Sequence, residues 1–169
     1  MMKDDPTGDA DSGTGAGLTE LFRGIAEVQA LFPAGFNPIR ECLKAGVSQI
    51  ELGALGVYSK APGSYDPDEQ AIRLDPGLSA LDREQLAREI NKRHRGLGVT
   101  SEDVYVFVLF HELAHHLRRR RLLGMPRRNG LLARLSFWEA EEISAEEMAA
   151  EDFAKKEFSA WKRSRRDRG

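Results

Sequence analysis

The sequence predicts an α+β protein in which a small β-sheet is followed by a long buried helix and then by a long acidic helix. Three observations carry this. Strand-like spacing of apolar residues occupies the stretch from Val47 to Asp75. The run Val104 to Leu117 is apolar nearly all round, as a central buried helix requires. Ser136-x-x-Glu139 then has the form of a capping box, opening a helix that extends from about Phe137 toward Trp161.

At 169 residues the chain is one domain with tails, large enough for an ordinary core. Residues 1–17 are rich in Asp, Gly, Ser and Thr and offer almost nothing to bury, so they read as a disordered tail. The folded domain is expected over residues 18–162, with a basic C-terminal tail over 163–169. No apolar run approaches the roughly 18 residues of a membrane span, and no signal-peptide core opens the chain. A cytoplasmic location without membrane contact is the expectation. The lone Cys42 excludes an internal disulfide framework and a cysteine-based zinc site.

In chain order, Thr19 to Phe32 places Leu21, Ile25, Val28 and Leu31 or Phe32 on one stripe, an amphipathic helix ended by Pro33 and Gly35. Asn37-Pro38 is an N-cap followed by proline in the first turn, and Gly46 closes the short helix behind it. Val47 to Ser59 is spaced for strands, with Gly53 and Gly56 suggesting a bulge or bend. Ala61 to Ser64 and Tyr65 to Glu69 read as turns, and Gln70 to Asp75 alternates as a strand, so Gly56 to Asp75 is expected to form a hairpin or a pair of small-sheet strands. Leu81 to Arg93 is a helix with an Asp82-x-x-Gln85 box. Ser101, or else Thr100, caps the central helix, with Glu102 and Asp103 in its first turn. That helix is expected to stop at Gly124.

The polar interruptions in the middle of the central helix are His111, Glu112, His115 and His116. His111-Glu112-x-x-His115 is the HExxH pattern of zinc-dependent hydrolases. Residues four apart on a helix stack on one face, so both histidines can offer a ring nitrogen to one metal ion. Glu112 flanks the same point and can take a proton from a water that the metal polarises. A buried, unpaired glutamate would cost several kcal/mol, and a metal with its water is the kind of partner that offsets this.

A catalytic zinc needs a third protein ligand. No histidine follows His116, so that ligand is an acid on a later helix. Residues 139–152 hold seven acids and no base. Glu147 lies on the apolar stripe of Ile143, Ala150, Ala154 and Trp161, with small Ala149 and Ala150 beside it. Glu151, one turn on, is placed to hold a histidine ring behind the metal. Glu142 and Glu146 form a competing pair. His116 is expected at the surface or behind the ligands, and His94 in an exposed basic loop. His116, Tyr58, Tyr65, Tyr105 and an arginine are all conceivable donors to a developing oxyanion.

The pairing of His111-Glu-Leu-Ala-His-His with Glu147-Met-Ala-Ala-Glu-Asp-Phe153-Ala154 resembles the ImmA/IrrE-like minimal gluzincin peptidases. In that family an HELxH helix is followed by a helix carrying E-x-x-A-N-x-F-A or a close variant. Tyr65-Asp-Pro and Ala71-Ile-Arg-Leu74 look like the family's small sheet, and the resemblance covers about residues 56 to 155. Glu151 stands where the family often has Asn, and Lys155-Lys156-Glu157 replaces its apolar Leu-Leu-Met-Pro ending. The resemblance implies a zincin-like α+β fold with an active-site helix and a C-terminal ligand helix. It implies Zn2+ held by His111, His115 and Glu147, with Glu112 as catalytic base, and hydrolysis of a cytoplasmic protein or peptide substrate such as a transcriptional repressor.

A rival expectation comes from charge. Residues 118–128 hold six arginines, and Trp161 to Arg168 is a second basic run. Arg118 to Arg121 and the C-terminal tail could meet nucleic acid through phosphates, either in a binding protein whose metal site is structural or degenerate, or in an SprT-like protease acting on DNA-linked proteins. No base-reading motif accompanies them, so a solvated basic surface is the simpler reading.

Overall fold

The computed structural model describes residues 24–47, 49–55, 62–123 and 138–167, with backbone alone for 121–123 and 138–144. Within these there are five helices and a three-stranded sheet. Helix α1 covers residues 24–30, and α2 runs Pro38–Ala45. Strands β1 (Gln49–Leu52), β2 (Gly63–Asp66) and β3 (Ala71–Leu74) follow. Then come α3 (Ala80–Arg93), α4 (Val104–Leu123) and α5 (Trp138–Arg166). None of the described helices is long and apolar enough to cross a membrane.

The first two helices form as their residues dictate. Val28 is buried from α1, and Phe32 stacks on Phe36 with ring centroids 5.2 Å apart just after it. The start of the expected Thr19–Phe32 helix lies outside the described residues. Asn37 caps α2 by accepting from the Arg40 N–H at 2.9 Å, Pro38 occupies the first turn, and Gly46 ends the helix at φ 78°, a left-handed conformation glycine adopts without strain. Cys42 is buried on this helix, and burial pushes its thiol up to about 12.

The sheet departs from expectation in its register. Its order is β1-β3-β2, with β1 parallel and β2 antiparallel to β3. Tyr65 and Asp66, expected in a turn, belong to β2 and face Ile72 and Ala71. The turn is residues 67–70, because the Asp66 carboxylate accepts the N–H groups of Asp68 at 2.9 Å and Glu69 at 3.1 Å and so begins the reversal after itself. Gln70, expected in the strand, sits in that turn with φ 52°. The strand expected over Val47–Ser59 is shorter, and it continues only as the Gly53 N–H bonded to the Leu74 carbonyl at 3.0 Å. Residues 56–61, including the expected bend at Gly56, lie outside the description.

Two caps also differ. The box at α3 is Ser79 with Asp82, not Asp82 with Gln85. The Ser79 hydroxyl accepts the Asp82 N–H and the Asp82 carboxylate accepts the Ser79 N–H, both at 3.1 Å. Asp82 is three residues after a serine, which makes it the returning acid of the box and not the cap. At α4 neither Ser101 nor a first-turn dipole acid does the work expected. Residues 101–103 form a turn closed by Asp103, whose carboxylate accepts from the Thr100 hydroxyl at 2.8 Å and from Lys162 at 2.6 Å. Asp103 is buried, so its charge is held by partners rather than by water.

Helix α4 is the spine of the molecule. Val104 to Phe110 are all buried, and it packs on β2, β3, α2, α3 and α5. Helix α5 lies antiparallel to it, since Lys162 near its end meets Asp103 at the start of α4 while Glu146 meets His115 further along. Ala150, Ala154, Phe158 and Trp161 form the buried stripe of α5. The basic tail expected from residue 163 is instead the last turn of this helix, and Arg165 reaches Asp103 at 3.8 Å. The Ser136 box lies outside the described residues.

Candidate metal centre

Midway along α4 the buried helix presents its polar residues. His111 and His115 are one turn apart, and their Nε2 atoms lie 3.2 Å from each other. From α5, the Glu147 carboxylate brings Oε2 to 3.1 Å from His111 Nε2 and Oε1 to 3.4 Å from His115 Nε2. Among the described residues these three form the group able to hold a metal ion. The spacing suits one. Ligand atoms about 2.0–2.1 Å from an ion at tetrahedral corners stand about 3.3 Å apart. The donor set of two imidazoles and a carboxylate also suits a divalent metal that keeps an open position. Burial, with the neighbouring His115, holds the His111 imidazole below its usual range, which favours the neutral ring a metal requires.

Glu112 lines the same cleft as these three residues. It is buried, and burial together with the nearby Glu147 charge pushes its carboxyl up to about 8, while the Tyr65 backbone N–H bonded to it pulls the other way. A carboxyl poised near neutrality suits a group that must take up a proton and give it back.

The sheet supplies the other wall. Gly63, Tyr65 and Asp68 follow Val108 to Arg119 in order, so β2 runs beside α4 in the same sense. Gly63 is needed for that approach. A Cβ there would stand 2.6 Å from Val108 Cγ1 and 3.3 Å from Glu112 Cγ. Gly63→Ala is therefore expected to push β2 off the helix and to loosen the Tyr65 N–H contact to Glu112. A drop in melting temperature of several degrees, read by circular dichroism, checks this. Neither Gly63 nor the Tyr65 N–H was legible in the sequence as part of the site; a glycine opening a strand carries no signal of what it lies against.

Several expected roles move. Glu151 does not hold a metal-facing histidine. It accepts from His94 Nε2 at 3.1 Å and from Arg93 at 3.1 Å, and so ties the α3–α4 loop to α5. The reason is position along the helix, because Glu151 shares the face of Glu147 but lies a turn further on, beside the end of α3. Glu146 takes the place expected of Glu151, 3.3 Å from His115 Nδ1. Glu142 has no described side chain. His94 is not exposed, with its side chain 10% accessible. His116 is fully buried rather than at the surface, with Nδ1 3.0 Å from the Tyr65 hydroxyl. Tyr105 is buried and donates to the Asp75 carbonyl, far from the role of oxyanion donor. Tyr58 lies outside the described residues, leaving Tyr65 and Arg119 on the cleft.

Among the described residues the two basic runs do not form one patch. Lys162 and Arg165 are engaged at the start of α4, whereas Arg118 to Arg120 lie at its far end, about 24 Å away along the helix. Arg120 is itself committed, donating to the Ala45 carbonyl at 3.0 Å. The side chain of Arg121 lies outside the description.

No family model matches the chain, and no curated protein or solved structure is significantly similar to it.

Proposed function

We propose that this chain is a zinc-dependent metallopeptidase of the gluzincin type, similar to the ImmA/IrrE-like enzymes, cleaving a cytoplasmic protein such as a repressor. The observation that carries the reading is the convergence of His111 Nε2, His115 Nε2 and a Glu147 oxygen on one point beside a buried glutamate. His111, His115 and Glu147 would hold Zn2+, which when bound acidifies water and polarises a carbonyl. Glu112 takes the proton of the attacking water and delivers it to the leaving amine. The Tyr65 N–H bonds the Glu112 carboxylate, and Glu146 holds His115 from its other ring nitrogen. The cleft of about 430 Å³ is bounded by β2, α4 and α5. Among the described residues β2 lies at the edge of the sheet, where an extended peptide could add to it, although the outward Tyr65 N–H is already bonded to Glu112.

Elemental analysis of the purified chain tests the centre. One zinc per chain is expected, with Glu147→Ala retaining much less after dialysis against a weak chelator. Because a ligand that binds only the folded state stabilises it, stripping the metal is expected to lower the melting temperature. Absence of metal after incubation with zinc would sink the reading. Full zinc in Glu147→Ala would move the third ligand to another acid of α5.

A further inference from the structure

We infer that Arg119 makes the enzyme selective for substrates carrying an acidic residue about two positions from the bond that is cut. The inference rests on the peptidase reading above and adds to it the chemistry of the substrate.

Arg119 follows His111 and His115 at the same four-residue spacing, so the three side chains stand in one row along α4. It lines the same cleft as the histidines, Glu146 and Glu147. Among the described residues bounding that cleft it is the only lysine or arginine. The acids there are turned inward, with Glu147 on both histidines and Glu146 on His115. Arg119 is differently placed. Its ion pair is with Asp68 at 4.0 Å, and Asp68 is 93% exposed, so the pair is long and wet. On the other side of the centre, Arg93 lines a small recess with Leu86, Ile90 and Phe107, but its charge is held by Glu151 at 3.1 Å. Among the described residues the positive charge available to a ligand is thus at one end of the cleft.

The position follows from helix and strand geometry. Four residues of helix separate His115 from Arg119, an advance of about 6 Å. An extended peptide advances about 3.3 Å per residue. Since β2 runs beside α4 in the same sense, a peptide lying along it carries its second residue from the cut to the guanidinium. A carboxylate arriving there displaces the long contact to Asp68 and gains a charge-assisted bond to the guanidinium.

The test uses the zinc-loaded full chain and a peptide library made by digesting a whole proteome, with new termini read by mass spectrometry. Asp and Glu are expected to be enriched two positions from the cut, on one side only. A matched pair of peptides differing by Glu or Gln at that position should differ about fivefold to tenfold in kcat/KM, mostly through KM, and the difference should shrink in 1 M salt. Arg119→Gln should bring the ratio near one, and Arg119→Glu should turn the preference toward Lys and Arg. Cleavage without an acidic preference, or with one that Arg119→Gln leaves intact, overturns the assignment and leaves the peptidase standing. A chain that holds zinc and cleaves nothing overturns both.

Discussion

Glu112→Gln is expected to lower peptide hydrolysis by about 10²–10⁴-fold while leaving the metal content at one ion per chain. Glutamine keeps the shape of the side chain and its bond to the Tyr65 N–H but cannot accept a proton at neutral pH. It is not one of the three groups that converge on the ion, so zinc is retained. The fold should survive as well, because the change replaces a buried acid, held up at about 8, with a neutral amide. Steady-state kinetics on any peptide the wild type cleaves, with metal content and melting temperature measured on the same preparation, reads all three quantities. Activity retained within a few-fold would remove Glu112 from the chemistry. Loss of metal alongside activity would make it a ligand instead.

Phe158→Ala is expected to cost about 3–5 kcal/mol of folding free energy, the range for emptying a large aromatic from a packed core. Phe158 is fully buried on α5 and meets the rings of Phe107 and Trp161 at 6.2 and 5.4 Å. It fastens the C-terminal half of α5 to α4, where Lys162 and Arg165 also reach Asp103. Chemical denaturation of the metal-free chain measures the loss without the contribution of bound zinc. A change below about 1 kcal/mol would mean that α5 is held chiefly by its ion pairs.

The residues legible in the sequence were those whose signal is local. Asn37-Pro38 and Gly46 announce the ends of α2 by their own backbone preferences, and four-residue spacing alone puts His111 and His115 on one face. Glu147 was reachable because it shares a helical phase with Ala150 and Ala154. What stayed hidden depends on partners distant along the chain. His94 looks like a loop residue until Glu151, 57 positions away, is folded against it. Asp103 looks like a dipole acid until Lys162 arrives. The strand register failed because Asp66 can close a turn only after itself, and a window of Tyr65 to Glu69 does not say where the reversal begins. Phe158 lies between Ala154 and Trp161, about one turn from each, and only its contacts with Phe107 and Trp161 mark it as the anchor of the stripe.

The two ends of α5 are unlike. Among its described side chains the buried ones are gathered at Ala150 to Trp161, and Glu147 stands beyond them with its carboxylate about half exposed. Taken as an arm fixed near Phe158, the helix carries the carboxylate about 16 Å out along its length. A tilt of about 5° at the pivot swings Glu147 by roughly 1.4 Å, enough to take an oxygen out of reach of an ion held at about 2 Å. A partner that leans on the far end of the arm thus acts on the proposed centre without touching either histidine.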